Sequence, residues 1–450
     1  MTRADVSRLR LVTWVGTLCA SLLGLAGCVT YTDATYQVEL NVAANHPDLA
    51  LQALERQSKF SRDTVLYQLN RAMLLRQTGD YAGSNASFEI AKREIDKRSA
   101  ISLTEQAGSL VVSEALKSYA GEDFERALIH LYAALNYLQL GERDSARVEA
   151  LQVDLFLSEL AKKKSDTPHI YREDAFCRYL AGMIYEELGE WSDALISYRK
   201  AYEAYEKYAV TFGVETPSFL KEDLVRLTDR VGITDEHKKY VEEFKLGDWQ
   251  TVAQRQEMGE VVVVVHNGLA PIKRSRVARV IDPGSGQLIS IALPDYQDRY
   301  DPVHKIVVDI DGRSVAAEPA QNINAIAHRT LEMRLPALTA KAIARAVVKY
   351  NLTRQAQHNQ GDLAGFITNV AGALTEIADT RSWITLPQTI YIARVPIAAG
   401  NHHAAVKLYG AGGTLLESRA FSPVDVRTGR KTYLEHHWVS SQSLRTRPLR

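Results

Sequence analysis

The sequence predicts an α+β chain: an N-terminal all-α solenoid of helical repeats, then an antiparallel β-rich, sandwich-like domain with inserted helices. Ahead of about residue 246, apolar residues recur at i, i+3, i+4 and i+7, the period of a helix with one buried face. The pattern changes abruptly at five consecutive valines, Val261–Val265, a run suited to a strand covered on both faces or set in a sandwich core. Charge divides at the same place. Residues 29–258 carry 28 Lys and Arg against 38 Asp and Glu, net −10, while residues 259–450 carry 23 against 15, net +8. The overall balance of 54 against 54 therefore hides two halves of opposite sign, which either attract each other or serve different partners.

The chain opens with Arg3, Arg8 and Arg10, then an uncharged apolar run from Leu11 to Leu25, then Ala26-Gly27-Cys28. This is the layout of a secretory signal. The run is shorter than the ~20 apolar residues that span a bilayer comfortably. Leu25-Ala26-Gly27-Cys28 resembles the lipobox of bacterial lipoproteins. That resemblance implies removal of residues 1–27 and acylation of Cys28, with more fatty chains than the two that stable attachment needs. Val29, where an Asp would favour inner-membrane retention, implies an outer-membrane address facing the periplasm. Cys19 leaves with the signal, so Cys177 is the one free thiol and no intramolecular disulfide forms. Its helical setting beside Leu180 reads as a small buried apolar residue.

Residues 28–246 form the helical domain. The clearest unit runs from Ala181 to Ala201, with small Gly182, large Tyr185, turn residue Gly189, aromatic Trp191, then Ala194, Tyr198 and Ala201. These positions resemble the tetratricopeptide repeat, in which small residues let two helices approach and large ones fill the adjoining holes. Ala72, Leu75, Gly79, Tyr81, Ser84, Phe88 and Ala91 repeat the spacing. A looser unit is Ala115, Ser118, Phe124, Ala127, Leu131 and Ala134. Around Gly141 the spacing recurs with Ala146, but Arg143 replaces the aromatic. Pro47 opens a worn first pair, and Lys162–Pro168 reads as an exposed loop. Stacked pairs make a concave surface, which is expected to bind protein partners, with some of the many tyrosines lining it. Pro217–Val231 and Asp235–Lys245 are two more helices, and residues 247–259 a linker.

The β-rich domain covers residues 260–439. Strands are expected at Val261–Val265, Arg276–Ile281, Leu288–Leu293, Lys305–Ile310, Thr389–Val395, His403–Tyr409, Thr414–Phe421 and Thr432–Val439, separated by Gly- and Asp-rich turns. The insertion at about residues 320–378 is helical, broken by Pro336 and Gly361. Its second part, Asp362–Ala378, carries an apolar stripe that packs on the sheet or docks against a membrane or partner. Residues 440–450 are a basic tail.

The zinc-helix, phosphate-loop and nucleophile-elbow motifs are missing from the sequence. His402-His403 and His436-His437 are neighbours on strands, so each pair points to opposite faces. Glu435, His436 and His437 would need His402 across strands to hold a metal; exposed strand histidines are commoner, and no metal or other cofactor is expected. Asp379-Thr380-Arg381-Ser382-Trp383 is the most distinctive polar cluster. Either Asp379 and Arg381 pair while Trp383 packs over the junction, or Arg381 and Trp383 form a partner-binding spot for a carboxylate, phosphate or glycan.

Together, the lipobox, the helical repeats, the valine strand ending His266-Asn267-Gly268, and Ala378–Trp383 resemble a little-characterised family of bacterial outer-membrane lipoproteins. The resemblance implies genes near those of peptidoglycan-synthase activator lipoproteins and assigns no catalytic residue. The expectation is a noncatalytic, lipid-anchored scaffold that meets envelope proteins through its repeats and the membrane through Cys28, without nucleic acid. The alternative is a cell-wall glycan-binding module or envelope enzyme with its site in the β-rich half. Cys28→Ser is expected to move the protein from the membrane pellet to the soluble fraction and to abolish fatty-acid labelling, as read by fractionation and metabolic labelling with palmitate.

Overall fold

The computed structural model describes residues 31–57, 63–105, 118–162, 171–281, 286, 288–360 and 378–444. Cys28 and the signal, residues 163–168 of the expected exposed loop, most of the apolar stretch 362–378 and the end of the basic tail lie outside them. The helical half starts with α1 (Tyr31–Ala34), α2 (Tyr36–Ala43) and α3 (Pro47–Glu55). Then come α4 (Thr64–Gln77), α5 (Tyr81–Glu105), α6 (Asp123–Gln139), α7 (Arg143–Lys162), α8 (Ala175–Glu187) and α9 (Trp191–Phe212). It closes with α10 (Ser218–Val231), α11 (Thr234–Phe244) and α12 (Val252–Gln256).

Among the described residues four helix pairs share one turn, the three repeat pairs and α10–α11, whose Gly232 has φ 80° and whose Ile233 N–H reaches Thr228 O at 3.0 Å. Gly79, Gly141 and Gly189 adopt φ of 86°, 74° and 76°, the left-handed conformation that ends a helix without a Cβ clash. The next residue's N–H then reaches back to close the turn: Asp80 to Leu75 O at 2.9 Å, Glu142 to Tyr137 O at 2.8 Å and Glu190 to Tyr185 O at 2.9 Å. The middle repeat pair turns at Gly141; Phe124, Ala127, Leu131 and Ala134 of the looser unit are buried in its first helix, while Ala115 lies outside the described residues. Arg143 stands where the other pairs place the half-buried Tyr81 and Trp191. Ala72, Phe88, Tyr185, Ala194, Tyr198 and Ala201 are buried between helices. A Cβ on Gly182 would lie 2.4 Å from the Tyr198 ring, so only glycine lets α8 and α9 approach this closely.

The linker region contains α12, whose Thr251 and Gln254 cap each other's backbone. The β half then contains β1 (Gly259–Asn267), β2 (Ile272–Ile281), β3 (Leu288–Gln297), β4 (Lys305–Ile310), β5 (Arg313–Ala316) and β6 (Glu318–Asn322). The helix α13 (Ile323–Gln360) separates these from β7 (Thr389–Ile397), β8 (Gly400–Tyr409), β9 (Leu415–Val426) and β10 (Lys431–Trp438). One sheet has the order β10-β1-β7-β6, the second β5-β4-β8-β9, and β2-β3 is a separate hairpin.

Two expectations need correction. The sandwich is not wholly antiparallel, because β1 and β10 pair in parallel; the first and last strands are joined by the whole domain, so no tight turn imposes opposite directions. Pro336 does not break the insertion, since α13 is continuous through it. The carbonyl that Pro336 leaves without a donor belongs to the exposed Glu332, where water can satisfy it.

The valine strand faces two cores at once. Val261, Val263 and Val265 pack with Ile306, Val308, Val406 and Leu408 between the sheets. Val262 and Val264 belong with Ile390, Ile392, Leu66, Leu128 and Tyr132 to the core shared with the helices. The two halves are thus fused through one side of one sheet. Gly182→Val is expected to cost roughly 1–3 kcal/mol by driving a methyl group into the Tyr198 ring, measurable as a lowered urea midpoint with unchanged m-value.

Candidate functional site

The surface made by the first helices of successive pairs is the one on which the sequence predicts a partner. It is occupied by the chain's own β10-β1-β7-β6 sheet. Asn70 and Arg76 of α4, Glu125, Tyr132 and Gln139 of α6, Tyr179 and Glu186 of α8, and Asp223 of α10 all meet the β half or its loops. Three polar clusters lie along this seam.

At one end is the loop before β7. Arg381 donates to Asp379 through Nε and Nη2, both at 2.8 Å, and to Asp63 Oδ1 at 3.2 Å, with Tyr119 beneath its guanidinium. Trp383 is 1% exposed and meets Phe88 and Tyr132 edge-on. Its backbone N–H donates to Glu125 Oε1 at 2.8 Å, and its indole N–H to Thr385 Oγ1 at 3.1 Å. Thr385 in turn donates to Asn70 Oδ1 at 2.9 Å. Arg381 and Trp383, one reading of which is a partner-binding spot, are therefore interior, and the contacts match the other reading, in which Asp379 and Arg381 pair while Trp383 packs. The large apolar indole is held against the helices, and the guanidinium is spent on two carboxylates.

In the middle, Glu435 of β10 accepts from Arg76, and its Oε2 lies 2.9 Å from Nε2 of His266. Gln139 donates to Glu435 Oε1 at 3.2 Å and to Tyr433 O at 3.1 Å. Arg76 also donates to Asn136 Oδ1 at 2.6 Å and stands over the Tyr132 ring. The His266 and His437 rings stack, with centroids 4.1 Å apart. Burial opposes the charge on Glu435, but Arg76 and His266 outweigh it and hold the carboxyl at about 2. Burial, then the nearby His266 and Arg76, push His437 well below the usual imidazole range. Burial also lowers His266, against the pull of Glu435. The grouping of Glu435, His436, His437 and His402 that a metal would have needed across strands does not form. His402 belongs to the other sheet and pairs with Asp311 at 2.6 Å, and His436 lies on the opposite face of β10 from its neighbours.

At the far end, Arg394 of β7 makes a two-pronged bond to Glu260, 3.0 Å and 2.9 Å, and donates to Tyr179 Oη at 2.8 Å and to Asp223. Arg226 pairs with Glu186 and Asp223, and Lys431 donates to Glu186 at 3.2 Å. A cavity of about 250 Å³ opens here, walled by Glu186, Trp191, Arg255, Met258, Arg394 and Lys431. Burial opposes the charge on Glu260, but Arg394, Arg255 and Lys431 outweigh it and hold the carboxyl at about 2. Glu122 is also held at about 2, its burial outweighed by Lys273 and Arg334 reaching across from the β half.

The sequence signal for these residues was charge inside apolar strands, such as Arg394 within Ile390–Val395 and Glu435 within Thr432–Val439. It shows that a partner exists without showing which. Cys177 is buried and free. Among the described residues no helix is long and apolar enough to cross a membrane.

No protein-family model matches the chain, and no curated protein matches it in sequence. Solved structures with similar shape include MamA, at 13% identity and a TM-score of 0.30, covering 46% of this chain and 92% of MamA. MamA from Desulfovibrio magneticus RS-1 is 14% identical, with a TM-score of 0.28 and coverage of 46% and 87%. A Podosopora anserina protein described as kinesin light chain with nearly identical TPR-like repeats is 15% identical, with a TM-score of 0.30 and coverage of 47% and 92%.

The seam carboxylates make docking acid-labile. A carboxyl held below its unfolded value stabilises the fold fully above about pH 4.5 and loses that contribution as pH falls toward 2. Urea unfolding across that window is expected to show stability falling with pH, with a shallower slope in Glu260→Gln.

Proposed function

We propose that this chain is a noncatalytic scaffold, anchored by lipid on Cys28 at the periplasmic face of the outer membrane. It holds a protein partner from peptidoglycan synthesis or envelope assembly on the outer surface of its helical repeats. The observation that carries this reading is an apolar stripe on α7. Val148, Leu151 and Leu155 recur at i, i+3 and i+7 and are 52%, 39% and 56% exposed, with Leu140 at the preceding turn also open. Large aliphatic side chains in register on a water-facing helix are the feature that a partner's apolar face covers. The inner face of the repeats already holds a polypeptide sheet, the chain's own, so the outer face is left for binding in trans. In this reading the β half acts as an internal brace that keeps the helix pairs in one curvature.

A photoreactive residue at Leu151, in cells making the lipidated protein, is expected to capture one envelope protein. The same residue at Ser418 on the outer sheet is expected to capture none, and Leu155→Asp to abolish the Leu151 adduct. Absence of an adduct from well-expressed protein would overturn the reading.

A further inference from the structure

We infer that His266, Glu435 and His437 form a binding site for a zinc-class divalent metal ion, set between the sheet and the helices. The placement follows from strand geometry. β1 and β10 are parallel neighbours, and His266 sits directly beside His437 in their register. Register partners on neighbouring strands project from the same face, and Glu435, two residues before His437, projects from it too. That face looks toward the helices, as the burial of Val264 and Tyr433 in the helical core shows. One donor atom from each of the three side chains lies within 4.8 Å of the other two.

Two imidazoles and a carboxylate are the donor set that zinc and its neighbours in the first transition row favour. An i, i+2 pair on one strand with a third ligand across the sheet holds such donors on a stiff frame rather than on a loop. Tetrahedral zinc at ~2.0–2.1 Å from each ligand needs donors roughly 3.3 Å apart. The 2.9 Å His266–Glu435 contact must therefore open slightly, and the near-parallel rings must turn so that their in-plane lone pairs converge on one ion. His437 is half-buried, less enclosed than His266, which leaves its ring room to turn.

The surrounding groups suit this role. Ligation takes the lone pair of His266 Nε2, so the ring proton sits on Nδ1, which faces the Tyr132 hydroxyl 3.5 Å away. Gln139 steadies the second oxygen of Glu435 at 3.2 Å. Such outer partners fix ligand orientation in metal sites. Arg76 opposes a cation by charge, and it also keeps Glu435 ionised and aimed at His266. The balance of charge then calls for an anion or hydroxide at the open fourth position. An ion here would tie the first and last strands of the sheet together beneath the helices.

The test uses the purified full chain in detergent, stripped with a chelator and titrated with ZnCl₂ by calorimetry. One ion per chain is expected, with a melting temperature raised by a few degrees at saturation, and with Co²⁺ giving the absorption bands of a tetrahedral nitrogen–oxygen site. His437→Ala and Glu435→Gln are expected to weaken binding at least about 100-fold, beyond the effect of losing an outer partner. His436→Ala, on the other face of β10, is expected to leave it intact. Should His437→Ala fail to fold, the Co²⁺ spectrum of the unsubstituted chain decides. Absence of saturable binding, binding unchanged in both ligand variants, or a Co²⁺ spectrum of an octahedral aquo ion would overturn the assignment.

Discussion

The double burial of β1 is the constraint on which the rest of this molecule depends. A valine strand with both faces covered needs a sheet on one side and helices on the other, and each half of the chain supplies what the other half's apolar surface lacks. Helix pairs of this kind cannot bury their inner faces alone. Here the inner face is closed by a sheet instead of being left as an open groove. The beta half is equally incomplete by itself, because Val262, Val264, Ile390 and Ile392 would otherwise face water. Removing either half would expose this surface.

Polar groups give that apolar contact its orientation. The acidic balance of the helical half and the basic balance of the beta half are expressed along the seam. Glu122, Glu186, Asp223 and Asp63 on the helical side meet Lys273, Lys431, Arg394 and Arg381 from the beta side. Arg76 with Glu435 runs the other way. Buried pairs contribute little net stability because desolvation offsets their attraction, but a mispaired register would strand a charge at a cost of several kcal/mol. Their effect is to select one docking pose from the many that a smooth valine surface would tolerate. Tyr132, Tyr179 and Tyr205 add hydroxyls that reach His266, Arg394 and the carbonyl of Ala320.

This arrangement redirects attention from the groove to the outside. With the inner helices committed, the open features among the described residues include the α7 stripe and the end of the seam, where a cavity adjoins Trp191 and Lys431. The histidine and glutamate cluster sits deeper, where β1 and β10 meet three helix-borne side chains, Arg76, Tyr132 and Gln139.

Much of the architecture was legible in the chain because its signals are local. A glycine two residues before an aromatic-rich helix marks a turn whatever surrounds it, and Gly79 and Gly189 do so. Five valines followed by His-Asn-Gly mark a strand and its end, and Lys305–Ile310 is a strand with those bounds. The short strands β5 and β6 escaped notice, and residues 320–322, expected in the helical insertion, belong to β6, because only pairing with β7 makes Glu318–Asn322 an edge strand. The site was less legible. Arg381 and Trp383 drew attention as a polar and aromatic cluster, yet their burial depends on Phe88, Tyr119 and Tyr132, which lie far away in sequence. His266 meets His437 only because the domain's first and last strands become parallel neighbours. Local propensity and periodicity thus determined which segments are helices and strands and where most of them end. Which faces meet, which charges pair and which histidines become neighbours were decided by tertiary structure alone, because those contacts join residues that no local pattern links.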